Sequence, residues 1–125
     1  MEIRPLLREE LVRENGADGK RLMPWTALNA PFEGAWVVLE PGGETGAHSH
    51  HDYEIFIVMS GKAEVEADGE LHELGSGCVA YFPPGTVHRV INASTDEEFS
   101  WYAIWWDPEM SARFTERHEA RAVKA

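Results

Sequence analysis

A chain of 125 residues has room for one compact core and not for two, and 43% hydrophobic beside 26% charged residues is the composition of a folded domain. The formal net charge is -11, and residues 23 to 107 set Lys62 and Arg89 against fourteen acidic side chains, so a nucleic-acid backbone or an anionic membrane surface is repelled. Cys78 is the one cysteine, which excludes an internal disulfide and a thiolate zinc site built within one chain.

The opening MEIRPLLREELVRENG scatters acids through its length and has no apolar run of signal-peptide size, and nowhere do eighteen apolar residues follow one another. A soluble protein of the reducing cytoplasm is expected. Pro5 suits the first position of a short helix, with Leu6, Leu7 and Leu11 near helical spacing before Asn15 and Gly16 stop it. From Gly19 to Gly34, Pro24 and Pro31 alternate with Trp25 and Phe32, which reads as an irregular arm or edge strand crossing apolar surface. Arg21 in that stretch either neutralises an anionic ligand near a barrel mouth or is an ordinary surface arginine.

Ala35 to Glu40 is a predicted strand, closed by the turn residues Pro41, Gly42 and Gly43. After a second apolar run, Met59 to Lys62 reads as a tight hairpin. Ala63 to Ala67 and Glu70 to Leu74 are strands joined by Asp68-Gly69, the strongest short hairpin signal in the chain. His72 there is an exposed strand histidine. Cys78 to Phe82 and Val87 to Asn92 flank a corner of Pro83, Pro84 and Gly85. The polar run 93 to 98 is a loop, and Phe99 to Trp106 is a strand buried on both faces. Alternation puts Phe99, Trp101, Ala103 and Trp105 on one side of it and Ser100, Tyr102, Ile104 and Trp106 on the other, without saying which row faces a cavity. Asp107 as cap, Pro108 at the first position and Glu109 near the positive dipole end start a polar helix anchored by Met110 and Phe114. An antiparallel all-β barrel over 23–107 is expected, with an amino-terminal arm over 1–22 and a helix over 108–125.

The chemistry concentrates in Gly42 to Gly61, GGETGAHSHHDYEIFIVMSG. In an extended segment His48, His50 and Glu54 share a face, and two imidazoles with a carboxylate are ligands that a first-row divalent metal prefers. His88, three residues after Gly85, arrives from another strand. Burying four such groups without a cation costs about 1 to 3 kcal/mol for each unsatisfied one, which argues for a bound ion. Alternation turns His51 away from that face, and His72 and His118 read as ordinary histidines.

Gly42, His48, His50, Glu54 and Gly61 fit the spacing Gly-x5-His-x-His-x3-Glu-x6-Gly, and Gly77, Pro83, Gly85, His88 and Asn92 fit Gly-x5-Pro-x-Gly-x2-His-x3-Asn. In these two stretches the chain resembles the cupin superfamily. The resemblance implies a small antiparallel jelly-roll barrel with one divalent ion per chain held by His48, His50, Glu54 and His88, zinc first, with iron, nickel or manganese next. It implies a homodimer too, in keeping with the aromatic last strand and the exposed edges of a small sheet.

A fold of this kind hosts many reactions. A Lewis-acidic ion, few cationic side chains and aromatic walls suit a small, partly apolar organic acid or carbonyl compound. Phe56, Val58 and Tyr81 are candidate walls, with Trp101 or Tyr102 according to which row of the last strand faces inward. Admissible bases are Glu54, Tyr53, His51 and Tyr81, while Asn92 more plausibly satisfies backbone groups at a strand end. The chain also resembles single-domain cupins of natural-product pathways, some of which epimerise aromatic α-keto acids such as methylated indolepyruvate. That implies an isomerase or epimerase working by metal-assisted proton transfer. An iron or nickel dioxygenase and a non-catalytic ligand-binding module are the alternatives.

Overall fold

A computed structural model describes residues 1–28 and 30–124, without the side chains of Phe114, His118, Ala120 and 121–124. The anchoring role expected of Phe114, and the reading of His118, lie outside the described residues. Among those residues the strands are β1 (Val12–Glu14), β2 (Ala17–Arg21), β3 (Phe32–Leu39), β4 (Tyr53–Ser60), β5 (Lys62–Ala67), β6 (Glu70–Gly75), β7 (Val79–Phe82), β8 (His88–Ile91) and β9 (Phe99–Trp106). Helix α1 spans Pro108–Lys124. The sheet orders are β1-β2-β3-β9-β4-β7 and β6-β5-β8, and every pairing is antiparallel. This is the expected all-β jelly-roll barrel with a carboxy-terminal helix.

Register explains why the core sits where it does. In the middle of the large sheet Leu39 faces Phe99, Val37 faces Trp101 and Ala35 faces Ala103, while Val58 and Phe56 approach the same Trp101 and Ala103 from the other side. Period-two alternation sends all of these inward together, where they meet Val65, Leu74 and Val90 of the small sheet. Leu39 and Phe99 are wholly buried, each contributing about 1.5 to 3 kcal/mol relative to exposure.

The amino-terminal segment differs from its expected helix. Only a 3-10 turn forms at Arg8–Glu10. Asn15 and Gly16 take positive φ of 52° and 85° and close a β1–β2 hairpin, which pairs with β3 and extends the large sheet. Leu6 and Leu7 are exposed, so helical spacing there had no apolar face to bury.

Gly61 corrects the expected hairpin at Met59 to Lys62. β4 belongs to the large sheet and β5 to the small one, so Gly61 is a corner at which the chain changes sheets. Its φ of +83° and its packing against the Glu98 carbonyl leave no place for a side chain. Asp68-Gly69 is the hairpin expected, with φ of 48° and 85°. Asp107 caps α1 through Oδ1, which accepts from the Glu109 N–H at 2.8 Å. None of the described helices is long and apolar enough to cross a membrane.

Candidate metal centre

Three pieces of backbone fix the site. His48 and His88 exchange backbone hydrogen bonds at 3.1 and 3.0 Å, forming an isolated antiparallel bridge that brings the two signature stretches side by side. The proline corner is tied to the first stretch, since the Gly85 N–H donates to the His50 carbonyl at 2.9 Å. Thr86 closes that corner by donating from Oγ1 to the Pro83 carbonyl at 2.7 Å. The Thr86 carbonyl in turn accepts from His88 Nδ1 at 2.9 Å. Asn92, buried, donates to the Leu39, Glu40 and Glu97 carbonyls and holds the strand end, as expected, away from the cavity.

The imidazoles of His48, His50 and His88 converge, with ring centroids 4.6 to 5.7 Å apart and potential ligand nitrogens within 4.8 Å of one another. Glu54 Oε1 lies 3.0 Å from both His50 Nε2 and His88 Nε2. The segment 48–52 is loop, not the continuous strand on which alternation was argued, yet it delivers the same groups.

These residues fit a divalent cation. With Nδ1 of His88 donating to Thr86, the neutral ring carries its lone pair on Nε2. That nitrogen is buried 3.0 Å from Glu54 Oε1, and in the neutral ring both atoms are acceptors, so its lone pair meets no donor among the described residues. A buried, unpartnered lone pair beside a carboxylate and two more imidazoles is the donor set of a first-row metal. Burial pushes the pKa of His88 down, but Glu54, the Thr86 carbonyl and Asp68 outweigh it, so the metal-free imidazole titrates above the ordinary histidine value.

A cavity of about 380 Å³ opens over the histidines. Phe56, Trp101 and Trp105 form an aromatic side, and Ala17, Gly19, Ala35 and Ala103 keep the volume open by being small. Asp52, Glu14, Asn15, Arg21 and Thr45 join Glu54 and the histidines in the polar part. The row of β9 that faces inward is therefore Trp101, Ala103 and Trp105.

Several expected site residues lie elsewhere. Tyr53, Tyr81 and Tyr102 alternate with the inward residues of their strands and fall on the outer face, where Tyr53 stacks on Tyr81 and Trp106 at 6.1 and 5.9 Å. None of them lines the cavity, so none is placed as base or wall there. Burial, then Glu33, raises the Tyr102 pKa on that outer face. Val58 points inward but is spent in the hydrophobic core, and exposed His51 lies outside the lining. Phe56 and Trp101 are placed as expected, and Glu54 lies among the cavity residues.

Sequence reading missed Asn15, Ala17, Gly19 and Glu14 as cavity residues, and it left Trp105 in one of two rows whose direction was open. The available signal was Asn15-Gly16, a two-residue turn pair that predicts a hairpin and with it a β2 strand reaching the mouth.

The model of the Cupin domain matches residues 35–105. The chain belongs to the cupin family. It is 52% identical to a Cupin 2 conserved barrel domain protein from Salinispora arenicola, over 94% of this chain and 98% of that one, with a TM-score of 0.82. The plu4264 protein from Photorhabdus luminescens is 39% identical over 94% of this cupin and 97% of its own chain, with a TM-score of 0.81. A predicted oxalate decarboxylase from Thermotoga maritima, 21% identical over 72% and 79% of the two chains with a TM-score of 0.65, shares the fold.

Proposed function

We propose that this cupin is a metal-dependent enzyme that moves a proton at the carbon beside the carbonyl of a small aromatic 2-oxo acid, isomerising or epimerising it. The observation that carries this reading is one cavity lined both by a cation-binding donor set and by Phe56, Trp101 and Trp105. A divalent ion held by His48, His50, His88 and Glu54, zinc first with iron, nickel or manganese next, supplies Lewis acidity that makes the adjacent C–H more acidic.

The chain's own residues do the rest. The aromatic side takes the apolar part of the ligand and excludes water from it, leaving oxygen to face the histidines. Glu54 belongs to the donor set that would hold the ion. Asp52, which lines the cavity and whose backbone carbonyl accepts from His50 Nδ1 at 3.3 Å, is the carboxylate beside that set in the chain and accepts and returns the proton. Incubating the zinc-loaded protein with phenylpyruvate in deuterium oxide is expected to wash deuterium into the carbon beside the carbonyl faster than buffer does, with Asp52→Asn slower. Absence of wash-in with the zinc form and oxygen uptake by the iron form would move the reading to a dioxygenase. Absence of both, with ligand still bound, would leave a binding module.

A cytoplasmic homodimer goes with this reading. The apolar outer face around Ile57, Val79 and Tyr81 supports self-association, which sedimentation at increasing concentration tests.

A further inference from the structure

The cavity has an unusual member for so acidic a protein. Arg21 is the one lysine or arginine lining it among the described residues, on a chain of net charge -11. Its placement is built. β2 pairs with β3 so that Arg21 stands beside Ala35, and Ala17, Gly19 and Arg21 alternate onto the cavity side. The guanidinium carbon lies 5.6 Å from the centroid of the Trp105 ring. Nη2 donates to Glu14 Oε1 at 2.7 Å, and no other acceptor meets Arg21 among the described residues. A guanidinium has five N–H donors, so most of its fork stays available.

Trp105 is also the register partner of Glu54 on β4. The indole therefore stands between the cation at the mouth and the metal-ligand set. From Arg21 through Ala35 and Ala103 to Phe56 the register crosses three strand spacings, about 14 Å along the sheet. That spacing is between backbones, and it sets Arg21 three strands away from β4, the strand that carries Glu54.

We propose that Arg21 binds a second anionic group, a carboxylate, at the far end of the ligand, and that Glu14 occupies the fork until that carboxylate displaces it. This rests on the proposed reading of the metal end and adds to it the substrate class. The class is an aromatic 2-oxo acid with a carboxylate on the side of the ring away from the oxo group. Arginine suits the task because its planar fork takes a carboxylate through two parallel bonds and stacks on an aromatic face, which lysine does not do. Glu14 keeps the fork oriented over Trp105 when no ligand is present. As a mere surface pair, Arg21 and Glu14 would contribute little to stability.

The test is calorimetric titration of the zinc-loaded full-length protein with phenylpyruvate and with 4-carboxyphenylpyruvate. The native protein is expected to prefer the carboxylated compound by about tenfold to a hundredfold, the worth of one charge-assisted contact. Arg21→Gln and Arg21→Lys should erase most of that preference at unchanged zinc content, and Glu14→Gln, which removes the competing carboxylate, should enlarge it. Equal affinities in the native protein, a preference that survives in Arg21→Gln, or no binding of either compound would overturn the proposal. The two readings fail separately. Deuterium wash-in without an Arg21-dependent preference removes only the Arg21 site, and an Arg21-dependent preference without wash-in removes only the reaction.

Discussion

Asn15 reaches from the amino-terminal hairpin to the first metal-site histidine: its Nδ2 lies 3.2 Å from His48 Nδ1 and 3.2 Å from the Gly46 carbonyl. The Gly46 N–H donates back to the Asn15 carbonyl at 3.3 Å, so turn and ligand loop are docked reciprocally. The Gly46 carbonyl that Asn15 holds also lies 3.2 Å from His48 Nδ1; accepting that N–H leaves the His48 Nε2 lone pair for a metal, and an outer partner of this kind commonly accounts for tenfold or more in metal affinity. Asn15→Gly retains the left-handed turn and deletes only the amide, and is expected to weaken zinc binding by about tenfold with little loss of melting temperature. Chelator competition measures the first and thermal unfolding the second; zinc affinity equal to that of the native protein would leave Asn15 with a turn role alone.

Of the three histidines that could hold a metal ion, His88 is the one whose loss should be felt most. It is 2% exposed and sits against Glu54, itself 5% exposed. His88→Ala removes a donor nitrogen and leaves Glu54 in the interior with one imidazole fewer. In the native protein, zinc at about a hundred times its dissociation constant should add about 2.7 kcal/mol of stability, seen as a rise in melting temperature with zinc concentration. His88→Ala should show almost none of that rise and retain far less zinc by elemental analysis. His72→Ala is the control, since His72 is exposed on β6.

The same histidine sets the pH dependence, with opposite signs in the two forms. In the metal-free protein the His88 pKa lies above its ordinary value, so the stability it contributes is fully present below about 6.5 and is lost as pH rises through the raised value. In the loaded protein the ligands must be neutral imidazoles, so the contribution of the metal disappears as pH falls. The gap in melting temperature between loaded and metal-free protein should therefore widen from acid toward neutral pH. A gap that is constant from pH 5 to about 8 would contradict the placing of His88 among the ligands.

How much of this was legible in the chain follows from the range of the interactions. Asp68-Gly69 and Asp107-Pro108-Glu109 act within a few residues, and both formed where turn and cap chemistry put them. Phe99 to Trp106 has the bounds expected of it, because an eight-residue apolar run leaves little choice. His48, His50, Glu54 and His88 lie together although 48–52 is not strand, since their meeting depends on the His48–His88 bridge and on the Gly85 to His50 hydrogen bond. What alternation alone left open was absolute direction. Tyr53, Tyr81 and Tyr102 share strands with Glu54, Phe82 and Trp101, and only the pairing of β4 with β7 and β9 shows that the tyrosines face outward. Met59 to Lys62 misled for a related reason: a tight turn and a corner between sheets use the same glycine, and the partner strands decide between them.

Gly61 offers the sharpest test of that corner. Gly42 and Gly61 both have positive φ, at +72° and +83°, so alanine at either pays the left-handed penalty of about 1 to 2 kcal/mol. They differ in surroundings. A Cβ at Gly42 meets nothing within 4 Å, whereas one at Gly61 runs into the Glu98 carbonyl oxygen and approaches the Phe99 Cα at 3.1 Å. The atoms in the way are backbone, and the neighbouring Phe99 side chain is wholly buried, so they cannot swing aside without disturbing the core. Gly42→Ala should therefore lose about 1 to 2 kcal/mol, and Gly61→Ala at least about 3 kcal/mol, measured by urea unfolding of the metal-free protein. Equal losses would mean that the chain between β4 and β5 passes farther from Glu98, as it would in a plain hairpin, and that the change of sheet at Gly61 is not the constraint that shapes this end of the barrel.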